Sequence, residues 1–509
     1  MSSLPYYIFF LSGSAALIFE NLWFRLAGLN VGNSVWGAAI VLAGFMGGLG
    51  IGNWFIARYG HVIKKPIRFY IILEVLIGIS SLALVLVFPY LTQWISPLFQ
   101  LFLDQPLVLN TLRMSIIFIL LLIPTAAMGA TLPIMVKAIC HIDKNFGSVL
   151  GKLYGWNTLG AVSGVILCEF VLIEWTGIKN AAFIALTLNL VAIILALRLQ
   201  VNFSKSLSRF NTTLTPNYKK INLPQNAYRL LIAAFLTGMI LLALEVVWFR
   251  FLLLTISGTS VIFAIMLAIV LTGIGLGGLI SSWLYKKHID ITDYSRELAL
   301  LGGVFTFVTY ICFDLIYFKY AQKNEPPITT FLIYSSFLML PISTISGILF
   351  TTLGRAIKQL IPGETLAVGL LTLSNTFGAM TGALVAGIVL LPIAGMEVSF
   401  WLLACCYGIV AFIIPAKYSL NIKPIAGFKY VLYAIFILFI AFFPFGSMEK
   451  LHFQKVADKW GASKVIAIKE GLVSTNFYYA YEKYGKPDYY RLITNGYSMS
   501  GTSWASQRY

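Results

Sequence analysis

The run FLSGSAALIFENLWFR (residues 10–25) carries a carboxylate at Glu20 and a guanidinium at Arg25, and FLTGMILLALEVVWFR (235–250) repeats the placement with Glu245 and Arg250. An acid inside so apolar a segment can hold a cation, carry a proton, or anchor a buried ion pair that fixes helix packing. On an ideal helix five residues turn roughly 500°, which leaves Arg25 about 140° around from Glu20, so the two are not direct partners. Arg25 and Arg250 are instead charge partners for other helices, or snorkel to the interface. Each glutamate lies about 15 residues into its run, a depth of about 22 Å at 1.5 Å per residue. A charge near a bilayer centre costs roughly 3 kcal/mol, so both side chains should face the bundle interior. A functional reading puts them around a central cavity; a structural reading makes them packing anchors.

The pair belongs to a longer self-similarity. At an offset of 225, Phe10/Phe235, Gly13/Gly238, Trp23/Trp248 and Phe24/Phe249 coincide, and Gly50 and Gly52 meet Gly275 and Gly277. At an offset of 218, YGWNTLGAVSG (154–164) aligns with LTLSNTFGAMTG (371–382), matching Asn157 with Asn375, Thr158 with Thr376 and Gly160 with Gly378. Asn157 and Asn375 are further candidates for lining a cavity. The glycine clusters 44–52 and 272–278 strip side chains from a helical face so that a neighbouring backbone can approach. Pro124, Pro133 and Pro341 should kink the fourth span of each half.

The elements that must hold these residues are membrane helices. The chain has 509 residues, 59% of them hydrophobic and 11% charged, against about 25% charged in soluble domains. Apolar runs of spanning length recur to residue 446, giving thirteen candidate spans. The fold expected is an all-α polytopic membrane protein of two parallel six-helix repeats, plus a thirteenth segment and a small C-terminal β-hairpin or meander. The divisions are 1–197, the first repeat; 198–229, a basic cytoplasmic linker; 230–416, the second repeat; 427–446, the thirteenth segment; and 447–509, a soluble β-rich tail. Parallel repeats of this kind are related by an axis along the membrane normal, as in major facilitator transporters.

The net charge of +17 is unevenly placed: 21 basic residues fall in the connections after even-numbered spans and four in the others. That bias puts the N-terminus and the even connections in the cytoplasm and argues against nucleic acid as a partner. Thirteen full spans would carry the tail to the opposite side, whereas a partly inserted 427–446 would keep it cytoplasmic. The five cysteines form no CxxC pair and read as small buried hydrophobes, and the four histidines show no metal spacing.

The tail alternates apolar and polar residues through KVIAIKEG, STNFYYAYEK and YYRLITNGYSMSG, around a turn at YGKPD. With IPTAAMGATLP (123–133) and LYGWNTLGAVSG, these motifs make the chain resemble the bacterial fused membrane/spermidine-synthase-like proteins. The resemblance implies a bacterial inner-membrane protein whose Rossmann-like aminopropyltransferase domain begins beyond residue 509, with a decarboxylated S-adenosylmethionine-like nucleotide as cofactor there. No catalytic residue, metal or cofactor is expected within 1–509. Two departures stand out. Asn495, Gly496 and Met499 replace the Asp-Gly…Gln of spermidine synthases, and NWFIARYGHV (53–62) keeps Arg58 and Gly60 of the facilitator loop motif but has Ala57 in place of its aspartate. The expected function is the membrane portion of an aminopropyltransferase-related protein. The alternatives are a facilitator-like secondary transporter of a small solute, cationic or a polyamine, and a membrane anchor without transport.

Overall fold

The computed structural model describes residues 3–31, 35–207, 223–254, 259–317, 328–415, 426–459, 461–462, 464–472, 474–484, 486–495 and 497–502. The centre of the basic linker, Lys417, Lys423 and the final SQRY lie outside them.

The first half holds α1 (Leu4–Val31), α2 (Val35–Tyr59), α3 (Pro66–Gln100), α4 (Pro106–Cys140), α5 (Phe146–Leu167) and α6 (Ile173–Leu207). The second holds α7 (Gln225–Leu252), α8 (Thr259–Lys286), α9 (Ser295–Tyr317), α10 (Ile328–Leu360), α11 (Glu364–Val385) and α12 (Gly395–Ile413), and α13 (Ala426–Ala441) follows. Among the described residues nine helical stretches are long and apolar enough to cross a membrane. Two of these, Phe146–Val201 and Glu364–Ile413, each run through two of the helices above. We term the side carrying the connections after α2, α4 and α8 the even face, and the opposite side the odd face.

The prolines do not interrupt these helices: α4 continues through Pro124 and Pro133, and α10 through Pro341. Helical geometry breaks elsewhere, at repeat-related places. A π-helical turn at Cys168–Leu172 precedes Gly177 (φ 76°, ψ 172°), and another at Ala386–Ala394 precedes Gly395 (φ 74°, ψ 175°). Both glycines hold a left-handed region that side chains resist, and they are 218 residues apart.

Glycine sets the packing inside each half. A β-carbon at Gly160 would overlap the Phe10 carbonyl oxygen, and one at Gly378 would overlap that of Phe235. The same pairing recurs between Gly52 and Ala126, mirrored by Gly277 and Thr344, and between Gly129 and Leu49, mirrored by Gly347 and Ile274. Every pair obeys the two offsets, so the repeat seen in α1, α2 and α5 extends to α4 and α10. The halves meet along two seams, α5 on α8 and α2 on α11. A β-carbon at Gly369 would stand 2.9 Å from Ala57, and one at Gly151 would be 3.1 Å from Ser282 Cβ, its repeat mate. This explains the missing facilitator aspartate: position 57 is a close helix contact.

The tail is a four-stranded antiparallel meander of β1 (Lys464–Glu470), β2 (Thr475–Lys483), β3 (Lys486–Thr494) and β4 (Tyr497–Gly501), in that order. Positive φ at Tyr484 (54°) and Asn495 (47°) gives the two-residue turns a hand that matches strand twist, a conformation asparagine tolerates. Phe477 and Ile493 are fully buried cross-strand partners at its centre. α13 packs along α9, with Phe436 lying against Gly303 and Gly408, and delivers the tail to the odd face.

Substituting Gly160→Ala or Gly378→Ala should destabilise the protein by about 1–3 kcal/mol each through overpacking. Gly44→Ala, whose β-carbon would first meet Phe118 Cα at an ordinary 3.7 Å, should leave thermal unfolding of the detergent-purified chain nearly unchanged.

Candidate functional site

α1 and α7 are repeat mates, and each brings its glutamate to the middle of the molecule. Glu20 lines a cleft with Asn21 and Phe24 of α1, Val41 of α2, Val165 of α5, and Phe263 and Leu267 of α8. The cleft therefore lies between the halves. The cleft has room for roughly one water. Its lining carries a carboxylate and an amide but no basic group. Glu245, buried on α7, lies within electrostatic reach of Glu20 and of Tyr154 on α5. Two carboxylates brought together in a low-dielectric interior repel one another, and a cation between them relieves that repulsion.

Aromatic contacts close the site on both sides. Towards the odd face, Phe24 stacks on Phe263 of the second half at 4.5 Å between centroids, and Phe249, the repeat mate of Phe24, meets Phe263 edge-on at 5.8 Å. Towards the even face, Tyr154 stacks on Phe350 at 4.2 Å.

Beyond Tyr154 the seam tightens to backbone contact. A β-carbon at Gly155 would be 2.9 Å from the Gly275 carbonyl oxygen, and one at Gly151 would be 2.6 Å from that of Gly278. Ser148 and Ser282 hydroxyls meet at 3.1 Å, and the Asn145 amide donates to the Tyr285 carbonyl at 3.0 Å. Arg355 of α10 pairs with Asp290 at 2.8 Å, donates to Asn145 Oδ1 at 3.4 Å and lies over the Tyr285 ring. The even side is thus shut by interlocked backbone and by the hydrogen bonds that Asn145 makes to Tyr285 and Arg355 of the other half. On the odd side, stacked phenylalanines lie over Glu20.

The remaining sequence candidates are placed differently. Asn157 and Asn375 are not among the residues lining the cleft. Each presses its backbone and Oδ1 against a glycine, Gly13 and Gly238, and so serves the α1–α5 and α7–α11 contacts. Arg25 donates to Glu169 at 2.5 Å. Arg250, fully buried, donates to the carbonyls of Gly471 and Leu472 at 3.1 and 3.0 Å.

The structure also adds a third buried acid. Glu74 on α3 has no exposed surface and accepts hydrogen bonds from Ser12 and from Asn189, both at 2.6 Å. It was visible as an acid in the apolar run YIILEVLIG, but Ala299 and Thr292 stand at its two repeat positions, so self-similarity did not mark it.

No known family and no curated protein matches the chain, but solved structures do. The E. coli fucose:proton symporter FucP is similar over 82% of this chain and 98% of its own, at 13% identity and a TM-score of 0.53. The human organic anion transporter MFSD10 is similar over 81% and 98%, at 10% identity and a TM-score of 0.55. An auto-inhibited POT family peptide transporter is similar over 83% and 99%, at 12% identity and a TM-score of 0.52.

The membrane region is major-facilitator-like. That likeness corrects the aminopropyltransferase expectation, which rested on short motifs. The helical architecture matches transporters across four-fifths of the chain, and nothing found supports a spermidine-synthase-like portion. The tail's strand pattern was read correctly.

A Ser148→Cys/Ser282→Cys double variant should form a disulfide under mild oxidation in native membranes. With a protease site inserted in the 208–222 linker, the cleaved halves should stay joined on gels until reductant is added. Halves that separate without reductant would show that this seam is open in the membrane.

Proposed function

We propose that this protein is a secondary transporter of a small solute bearing positive charge, bound between Glu20 and Glu245 at the seam of its two halves. One observation carries the reading: Glu20 lines a cleft shared by both halves whose lining residues include no basic group, and its repeat mate Glu245 is buried on α7. The nearby arginines do not neutralise them, since Arg25 is engaged by Glu169 and Arg250 by the tail. The printed names of the similar structures mention fucose with protons, organic anions and peptides, so the fold leaves the substrate to the site, and the acidity of this site favours amines, polyamines among them.

In the closed arrangement there is space for little more than a water, so a solute enters once Phe24 and Phe263 part. The basic connections support a cytoplasmic even face, and the tail would then stand outside. Closure at the even face with a lighter aromatic lid opposite supports an occluded state that opens outward.

Purified protein in proteoliposomes should take up a radiolabelled mono- or diamine and exclude a neutral sugar of similar size. Glu20→Gln and Glu245→Gln should each lower amine uptake at least tenfold, the loss that follows from removing about 1.4 kcal/mol of binding. Wild-type uptake that both variants reproduce would overturn the reading. As a separate check on sidedness, Tyr484→Cys, at a position 95% exposed, should react with an impermeant maleimide on intact cells well above the wild-type background.

A further inference from the structure

The two halves treat equivalent arginines differently. In the first, the π turn after α5 presents Glu169, which takes Arg25. At the equivalent place in the second half, 218 residues on, stands Gly387, so Arg250 has no acid from its own repeat. Yet Arg250 is the more deeply buried of the two: it has no exposed surface, whereas the Arg25 side chain is 32% exposed. A buried guanidinium without partners costs several kcal/mol. The tail supplies what Gly387 does not, for the Gly471 and Leu472 carbonyls accept both terminal nitrogens of Arg250.

The neighbouring residue fits the same pattern. Glu470 accepts the Met396 N–H at 2.8 Å at the start of α12 and lies within electrostatic reach of Arg250. Burial pushes its carboxyl above the ordinary range, opposed by the Met396 N–H and Arg250. A β-carbon at Gly395 would be 2.7 Å from Glu470 Oε1, so a side chain there would push the carboxylate aside. At Gly177, the repeat mate with the same backbone angles, a β-carbon would meet nothing within 4 Å.

Two further anchors lie alongside. Glu397 of α12 accepts from Tyr310 Oη at 2.9 Å and from the Gly446 and Met448 N–H groups at 2.8 and 3.1 Å. His452 sits against the rings of Phe251, Tyr310 and Phe313. These contacts join the tail to α7, α9 and α12, all in the second half.

We propose that the 470–472 loop takes the part in the second half that Glu169 plays in the first, positioning Arg250 and clamping α7 to α12. The tail and the second half then move as one body, while the first half moves past them. Glu470 and Arg250 are positioning residues in this arrangement; neither touches the cleft.

The matched glycines provide the test in the full chain. Gly177→Ala and Gly395→Ala carry the same left-handed strain and differ only in the tail contact. Limited proteolysis at the 459–464 segment should speed up about tenfold in Gly395→Ala, the ratio that roughly 1.4 kcal/mol produces, and stay within about twofold of wild type in Gly177→Ala. Glu470→Gln, which preserves volume, should raise the cleavage rate in the same direction. Adding Gly387→Glu to Gly395→Ala should return thermal stability towards wild type by giving Arg250 an acid from its own repeat, while the tail stays cleavable. Equal cleavage in the two glycine variants, or a Gly387→Glu gain no larger there than in wild type, would overturn the proposal. None of these measurements depends on solute uptake, so they stand apart from the transport reading.

Discussion

Helices in a bilayer gain little by burying apolar surface against each other, because lipid is equally apolar; close backbone approach is what holds them together. Here that approach depends on the missing β-carbon. Gly160 on Phe10, Gly52 on Ala126 and Gly129 on Leu49 lock α1, α2, α4 and α5, and their mates lock α7, α8, α10 and α11. The same device at Gly151 and Gly155 draws the halves together at the even face. Everything polar is fitted into the space that this packing defines. Glu20 reaches the cleft, and Glu245 its buried place on α7, because α1 and α7 are each fixed to a neighbour by glycine contacts.

Each half is internally interlocked, whereas the contact between halves mixes tight and loose regions: interdigitated backbone and the Asn145 hydrogen bonds at one end, stacked rings at the other. Rings can part by rotating about their side-chain bonds, but backbone contact must be broken over a whole helical face at once. Opening at the two ends therefore draws on different interactions.

Much of this was legible in the sequence, because a duplicated chain states each packing rule twice. The offsets of 225 and 218 exposed the repeat, the glutamates and the glycine faces, and period-two alternation exposed the tail strands. Other features left weaker traces. Asn157 and Asn375 read as cavity polar groups, and their close packing against Gly13 and Gly238 left no separate mark in the sequence. The helices run on through the prolines expected to kink them, while non-helical angles fall on Gly177 and Gly395, ordinary-looking until those angles are known. The partner of Arg250 could not be read at all, because a main-chain carbonyl 221 residues away carries no side-chain signature. The enzyme resemblance failed for a related reason: short strings survive in unrelated contexts, whereas the order and packing of twelve helices do not.

The dependence of Arg250 on that distant carbonyl has a consequence for how the protein is made. Arg25 finds Glu169 after 144 residues, within its own half. Arg250 must wait for residues 221 and 222 positions downstream. At roughly 5–20 residues per second of synthesis, α7 emerges some 10–45 s before anything can neutralise its guanidinium. During that interval the nascent helix has reason to linger at the interface or beside the insertion machinery. The second bundle can seal only once residues 470–472 have been made.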